Sequence, residues 1–124
     1  MTTKLSTILE LNNILKSIID NTDIKIDHLL KFKLLGVAKS IETPIINFEI
    51  IKNDKIREYG QEDKDGNISI SKEDTEAIEK FTKDLDTILN SDVDVNIQKL
   101  KPTDIFDKGL PIEYLLRLYS IIEE

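Results

Sequence analysis

Apolar residues recur every three or four positions along most of this chain. Leu5, Ile8, Leu11, Leu15, Ile18 and Ile19 fall on one helical face and predict a helix over 4–19. Asn12 and Asn13 are weak helix formers, so packing has to hold that segment. Asp20-Asn21-Thr22-Asp23 supplies the turn that ends it. Ile24-Lys25-Ile26 alternates as a short extended piece would, and Asp27 is placed to cap the next helix. From about 28 to 59, Leu30, Leu34, Val37, Ile41, Ile45 and Phe48 advance by four, three, four, four and three. That is one continuous helical stripe. Pro44 lies inside it, removes a hydrogen bond to the Ser40 carbonyl and crowds that turn. Because the stripe keeps its phase, the expectation is one kinked helix rather than two, with Gly36 permitting a close helix crossing.

Gly60 supplies a left-handed cap to end the long helix, and Asp65-Gly66 signals a tight turn. Asn67-Ile68-Ser69-Ile70 alternates like a short strand. Ser71 followed by Asp74 resembles a capping box. A further helix is predicted from about 72 to 90 on the stripe Ile78, Phe81, Leu85 and Ile88, with acidic residues loading its first turns. Val93, Val95 and Ile97 alternate with polar neighbours and make the strongest strand signal. This strand is expected to pair with 67–70 through a right-handed crossover, in parallel. Pro102 ends the strand, and Asp104 is placed to cap one turn through Phe106. A last helix starts after Gly109-Leu110-Pro111, with Ile112, Leu115, Tyr119 and Ile122 on one face. The fold class is therefore α+β, mostly α. A long kinked helix and a second helix form an antiparallel hairpin, with a two-stranded sheet and a C-terminal helix, in a single domain over 1–124.

Composition narrows what this domain can do. The chain has 124 residues, 40% hydrophobic and 33% charged, with no Cys and no Trp. Disulfides, thiol nucleophiles and Cys-ligated zinc are excluded. The start of the chain lacks the apolar run of a signal peptide, and no apolar stretch is long enough to cross a bilayer. The net charge of −7 is unevenly spread: residues 1–60 carry +1 and residues 61–124 carry −8. So acidic a back half repels nucleic-acid phosphates. It suits a solvated face or docking to a basic partner.

Candidate chemistry is sparse. With Gly66 at the sixth position of an EF-hand loop, Asp63, Asp65 and Ser69 fall on ligand positions and Ile68 on the aliphatic one. Gln61 and Lys72 then occupy the first and twelfth positions, where carboxylates are needed. A charged Asp-Gly turn explains the segment without a metal, leaving at most weak divalent-ion binding over 61–72. His28 is the only histidine, and no motif sets a nucleophile and an orienting acid beside it. Asp84 and Asp86 are two apart and cannot share a helix face, whereas Glu76 and Glu79 do. Tyr59, Tyr114 and Tyr119 read as aromatics at the edge of the core. No catalytic, cofactor-binding or metal-binding residue is assigned.

The order of features resembles a group of small proteins encoded by tailed bacteriophages and prophages. The matching residues are Glu58-Tyr59-Gly60, Asp63, Gly66-Asn67, Val95-Asn96-Ile97-Gln98-Lys99-Leu100, and Pro111 through Glu124. The resemblance covers roughly 45–124, and Pro44 departs from it. It implies a phage origin, a location in the host cytoplasm or virion, and a virion or tail assembly role without enzymatic activity. Protein partners are expected, with a homo-oligomer allowed and neither nucleic acid nor membrane involved. The contact residues expected are Glu62, Asp63, Asp65, Glu73, Glu76 and Glu79. A second expectation is an acidic DNA mimic that inhibits a host nucleic-acid enzyme or defence system. A small hydrolase would need a nucleophile–base pair that the sequence does not offer.

Overall fold

A computed structural model describes residues 1–123 and builds them into an α+β, mostly α, arrangement. A short strand β1 (Thr2–Lys4) leads into helix α1 (Leu5–Ile19). Helices α2 (His28–Ser40) and α3 (Glu42–Tyr59) come next, then strands β2 (Gln61–Glu62) and β3 (Ile68–Ser69) and helix α4 (Thr75–Leu89). Strand β4 (Asp92–Asp94), the short helices α5 (Pro102–Ile105) and α6 (Ile112–Arg117), and a 3-10 turn at Tyr119–Ile121 complete the order. α1 lies at the centre, touching α2, α3, α4 and α6, while α3 and α4 pack together as the helical hairpin.

The helical stripes bury the residues their spacing predicts. Ile8, Leu15, Leu34 and Ile41 are fully enclosed. Each contributes about 1.5–3 kcal/mol through removal from water. Among the described residues no polar or charged side chain is buried, so apolar packing alone holds the core. The Asp27 carboxylate accepts from the backbone N–H of Leu29 and Leu30 and caps α2 as expected.

The long helix is interrupted at Ile41, three residues before Pro44, and no further residue separates α2 from α3. Ile41 adopts φ −103°, ψ 2°, and its buried side chain anchors the junction. Proline clashes with, and gives no hydrogen bond to, the carbonyl four residues earlier, so the distortion lies upstream of it. Pro44 itself sits in the first turn of α3, where an N–H has no helical partner to lose.

The expected parallel pairing of 67–70 with 93–97 does not form; two antiparallel pairings stand in its place. β2 and β3 form an antiparallel hairpin, Gln61 opposite Ser69 and Glu62 opposite Ile68. A short local turn closes at lower entropic cost than a crossover past a whole helix. β4 pairs instead with β1, antiparallel, Thr3 opposite Val93. The alternation over 93–97 is real in burial, with Val95 enclosed and Asn96 exposed, but the ladder ends at Asp94. α4 starts at Thr75 rather than 72, because Asp74, not Ser71, accepts from the Ala77 N–H at its start.

Two glycine expectations also change. Gly60 is extended, at φ −90°, ψ 176°, not left-handed. What requires glycine there is proximity: a Cβ would collide with the Ile56 carbonyl and lie 2.9 Å from that of Ser69. Gly36 meets no crossing helix, and a Cβ there would find nothing within 4 Å.

The C-terminal segment keeps only Leu115 and Ile122 of its expected face inward. Leu118, Ile121 and Ile122 are buried, whereas Ile112 and Tyr119 are exposed. On α6 and its C-cap the inward side is Tyr114, Leu115 and Leu118 rather than Ile112, and the 3-10 turn that follows carries Tyr119 outward and Ile121 inward. Leu100 pins this turn by donating to the Ile121 carbonyl at 2.7 Å and accepting from the Glu123 N–H at 2.8 Å.

Candidate functional site

The hairpin after α3 is built around Asp63. One of its carboxylate oxygens accepts from the N–H of Asp65 and of Asn67, each at 2.9 Å. Its own N–H donates to the Asn67 carbonyl and its carbonyl accepts from the Gly66 N–H. Gly66 takes φ 83°, which disfavours any residue with a side chain. The segment is thus a turn closed by an aspartate, with that carboxylate occupied by backbone amides. Among the described residues, no group of three or more His, Asp or Glu is arranged to hold a metal ion.

The six acids expected to make contacts are all exposed, but they divide between separate elements. Glu62, Asp63 and Asp65 belong to the hairpin. Glu73 precedes α4, and its N–H donates to the Ser71 hydroxyl. Glu76 and Glu79 stand on α4. Glu76 pairs with Lys80 at 3.1 Å, and Glu79 borders a shallow open groove with Ile78, Lys83 and Asp86. Lys80 and Lys83 therefore interrupt the negative face.

One polar cluster ties α3 to α4. The Tyr59 hydroxyl donates to Asp84 at 2.6 Å, and Lys55 lies 2.9 Å from Glu58 and 3.3 Å from Asp84. The Lys55 ammonium also stands 5.8 Å from the Tyr59 ring centre. The Tyr59 hydroxyl, with Lys55 beside it, holds the Asp84 carboxyl below the usual carboxylate range. The same hydrogen bond to Asp84 raises the Tyr59 phenol. Glu58, then Asp84, raise the Lys55 ammonium. This is a clamp between two helices. Asp86, two residues on, is exposed, so the pair shares no site.

His28 is the first residue of α2 and is exposed, and the neighbouring Asp27 carboxylate is occupied in capping. A second ion pair, Lys33 to Asp104 at 2.8 Å, joins α2 to the α5 turn. Asp104 also accepts from the Lys101 N–H at 3.1 Å. Lys33 first, then that N–H, keep the Asp104 carboxyl low.

The larger feature of the surface is apolar. Phe32 is 72% exposed, and Leu29 and Leu35 stand beside it on α2. Ile46 and Ile50 face outward from α3. On the C-terminal segment Ile112 and Leu116, 74% and 72% exposed, and Tyr119 succeed one another at helical spacing. Scattered single apolar residues are ordinary on a surface, but runs at i, i+3 and i+4 are not. Sequence reasoning missed these faces because each helix was assigned one stripe. The available signal was a second one: Leu29, Phe32, Gly36, Ile46 and Ile50 repeat at helical spacing on the side opposite Leu30 and Leu34. No helix among the described residues is long and apolar enough to cross a membrane. No protein-family model, curated protein or solved structure matches this chain, so its surface has to carry the functional reading.

Proposed function

We propose that this chain is a non-enzymatic protein–protein interaction module of phage origin, a structural or assembly component of the virion or tail. The observation that supports contact as its mode of action is the pair of outward apolar faces, on α2–α3 and on the C-terminal segment. Covering a well-exposed Phe, Leu or Ile on a partner is favourable by about 1–2 kcal/mol each. A few such residues at the centre of an interface account for most of its affinity. The acidic α4 and hairpin offer a further, polar surface that favours a basic neighbour. The resemblance of residues 45–124 supports the phage setting, and with it a location in the host cytoplasm or virion.

Mass spectrometry of purified virions and of assembly intermediates tests the proposal. Recovery of this chain in fixed ratio to a structural protein is the expected result. Its absence from both fractions would remove the virion and assembly role.

A further inference from the structure

We infer that the outer face of α2–α3 is occupied by a second copy of this chain, docked antiparallel. This deepens the interaction reading above and rests on it. Three observations carry the inference, and each is independent of the hairpin acids.

The first is register. Positions 29, 32, 36, 39, 43, 46 and 50 alternate steps of three and four along the side opposite the buried stripe. Read backwards the steps become four and three with the same mean spacing, so an antiparallel copy also presents these residues along one seam. A two-fold axis near Lys39 and Ser40 sets Leu29 against Ile50 of the second copy and Phe32 against its Ile46. The apolar ends of the seam therefore cover one another, as a two-fold interface requires. The one-residue break at Ile41 falls near the axis.

The second is charge. On α2, Lys33 is tied to Asp104 and Lys39 to Glu42 within the chain, which leaves Lys31 on α2 and Glu49 on α3 as the charges that flank the seam. Antiparallel docking lays Lys31 beside Glu49 of the other copy. Parallel docking lays Lys31 beside Lys31. Complementary flanks of this kind set helix orientation. Lys39 already pairs with Glu42 of its own chain at 2.9 Å, so two balanced pairs meet at the axis rather than two bare cations.

The third is Gly36. Glycine weakens a helix interior, and nothing within this chain approaches Gly36 closely enough to need one. It lies in the seam, and the antiparallel register places it opposite Thr43 of the second copy. Two small residues there let the helix backbones come together.

The test uses the intact chain. Sedimentation equilibrium should give twice the 14.2 kDa chain mass, with a Kd on the order of 10 µM. Phe32→Asp and Ile50→Asp, both at exposed positions, should each weaken association by at least about thirtyfold while the urea midpoint of dilute protein holds. The absence of Cys allows a clean map of direction. Chains carrying Leu29→Cys mixed with chains carrying Ile50→Cys should form a mixed disulfide on oxidation, and Leu29→Cys alone should not. A monomer at all concentrations, a disulfide between two copies of Leu29→Cys, or a monomer that binds anionic lipid vesicles through Phe32 would each overturn the inference. A monomeric wild-type chain that is nonetheless recovered in virions would sink the second copy and leave the assembly reading standing. A dimer absent from virions and intermediates would do the reverse.

Discussion

Replacing Leu118 and Leu116 by alanine, one at a time, should separate two residues of the same type that lie two positions apart. Leu118 is fully buried and Leu116 is 72% exposed. Loss of the three carbon groups from Leu118 removes about 2.4 kcal/mol of transfer free energy, at about 0.8 kcal/mol per group. The void adds to this. Leu100 holds the adjoining turn through two backbone hydrogen bonds, so the segment cannot collapse freely into the gap. The total comes to about 3–4 kcal/mol. With a urea m-value of about 1.5 kcal/mol/M, the midpoint should fall by about 2–2.7 M. Leu116→Ala should stay within about 0.5 kcal/mol of the parent. Urea titration monitored by far-UV circular dichroism, at protein concentrations below self-association, measures both. The reasoning fails if Tyr119→Ala costs more than Leu118→Ala. An inward face made of Ile112, Leu115, Tyr119 and Ile122 would require that order.

Gly60→Ala should destabilise by about 1–3 kcal/mol, since its Cβ meets two backbone carbonyls that cannot rotate away; an unchanged urea midpoint would disprove the close approach. Gly36→Ala should act in the opposite direction, stabilising dilute monomer by about 0.5–1 kcal/mol, because the added methyl enters open space on a helix. Stability should also depend on pH at both ends of the range. Asp84 and Asp104 have lowered folded pKa values, so their contribution is complete above the unfolded value of about 4 and is lost as pH falls through the folded ones. Tyr59 has a raised value, so its contribution is complete below about pH 10 and is lost as pH rises through the folded value. Urea midpoints across pH should therefore form a plateau. Asp84→Asn should flatten its acid limb and Tyr59→Phe its alkaline limb; limbs unaltered by these changes would exclude the clamp as their source.

Much of the fold was legible because burial on a helix obeys a simple period. Leu5, Ile8, Leu11, Leu15 and Ile18 on α1, and Leu30, Leu34, Val37 and Ile41 on and just after α2, are all buried as their spacing predicts. Asp27 was legible as a cap because capping is local chemistry. What failed was nonlocal or depended on a change of period. Thr2–Lys4 carries no strand signal and becomes one only because β4 lies beside it. On 112–122 only Leu115 and Ile122 of the expected face turn inward: Ile112 faces solvent from the first turn of α6, and the 3-10 turn after α6 carries Tyr119 outward. At the surface, negative charge around Glu62 and Glu76 dominates the composition of residues 61–124. The second apolar stripe on α2–α3 was equally present in the sequence. Periodicity names residues that share a face and does not say whether this chain covers that face.

The most direct measurement of the central claim compares partner capture by the wild-type chain with capture by Phe32→Asp and Leu116→Asp. Each variant is first matched to wild type in urea midpoint, then immobilised and exposed to lysate from virion-producing cells. Contact through the outward apolar faces predicts saturable recovery of a virion or tail protein. That recovery should drop at least about tenfold with one of the variants and change little with added salt. Equal recovery by all three chains would contradict it. So would a recovered host nucleic-acid enzyme that is released by salt and indifferent to both substitutions, the behaviour of an acidic DNA mimic.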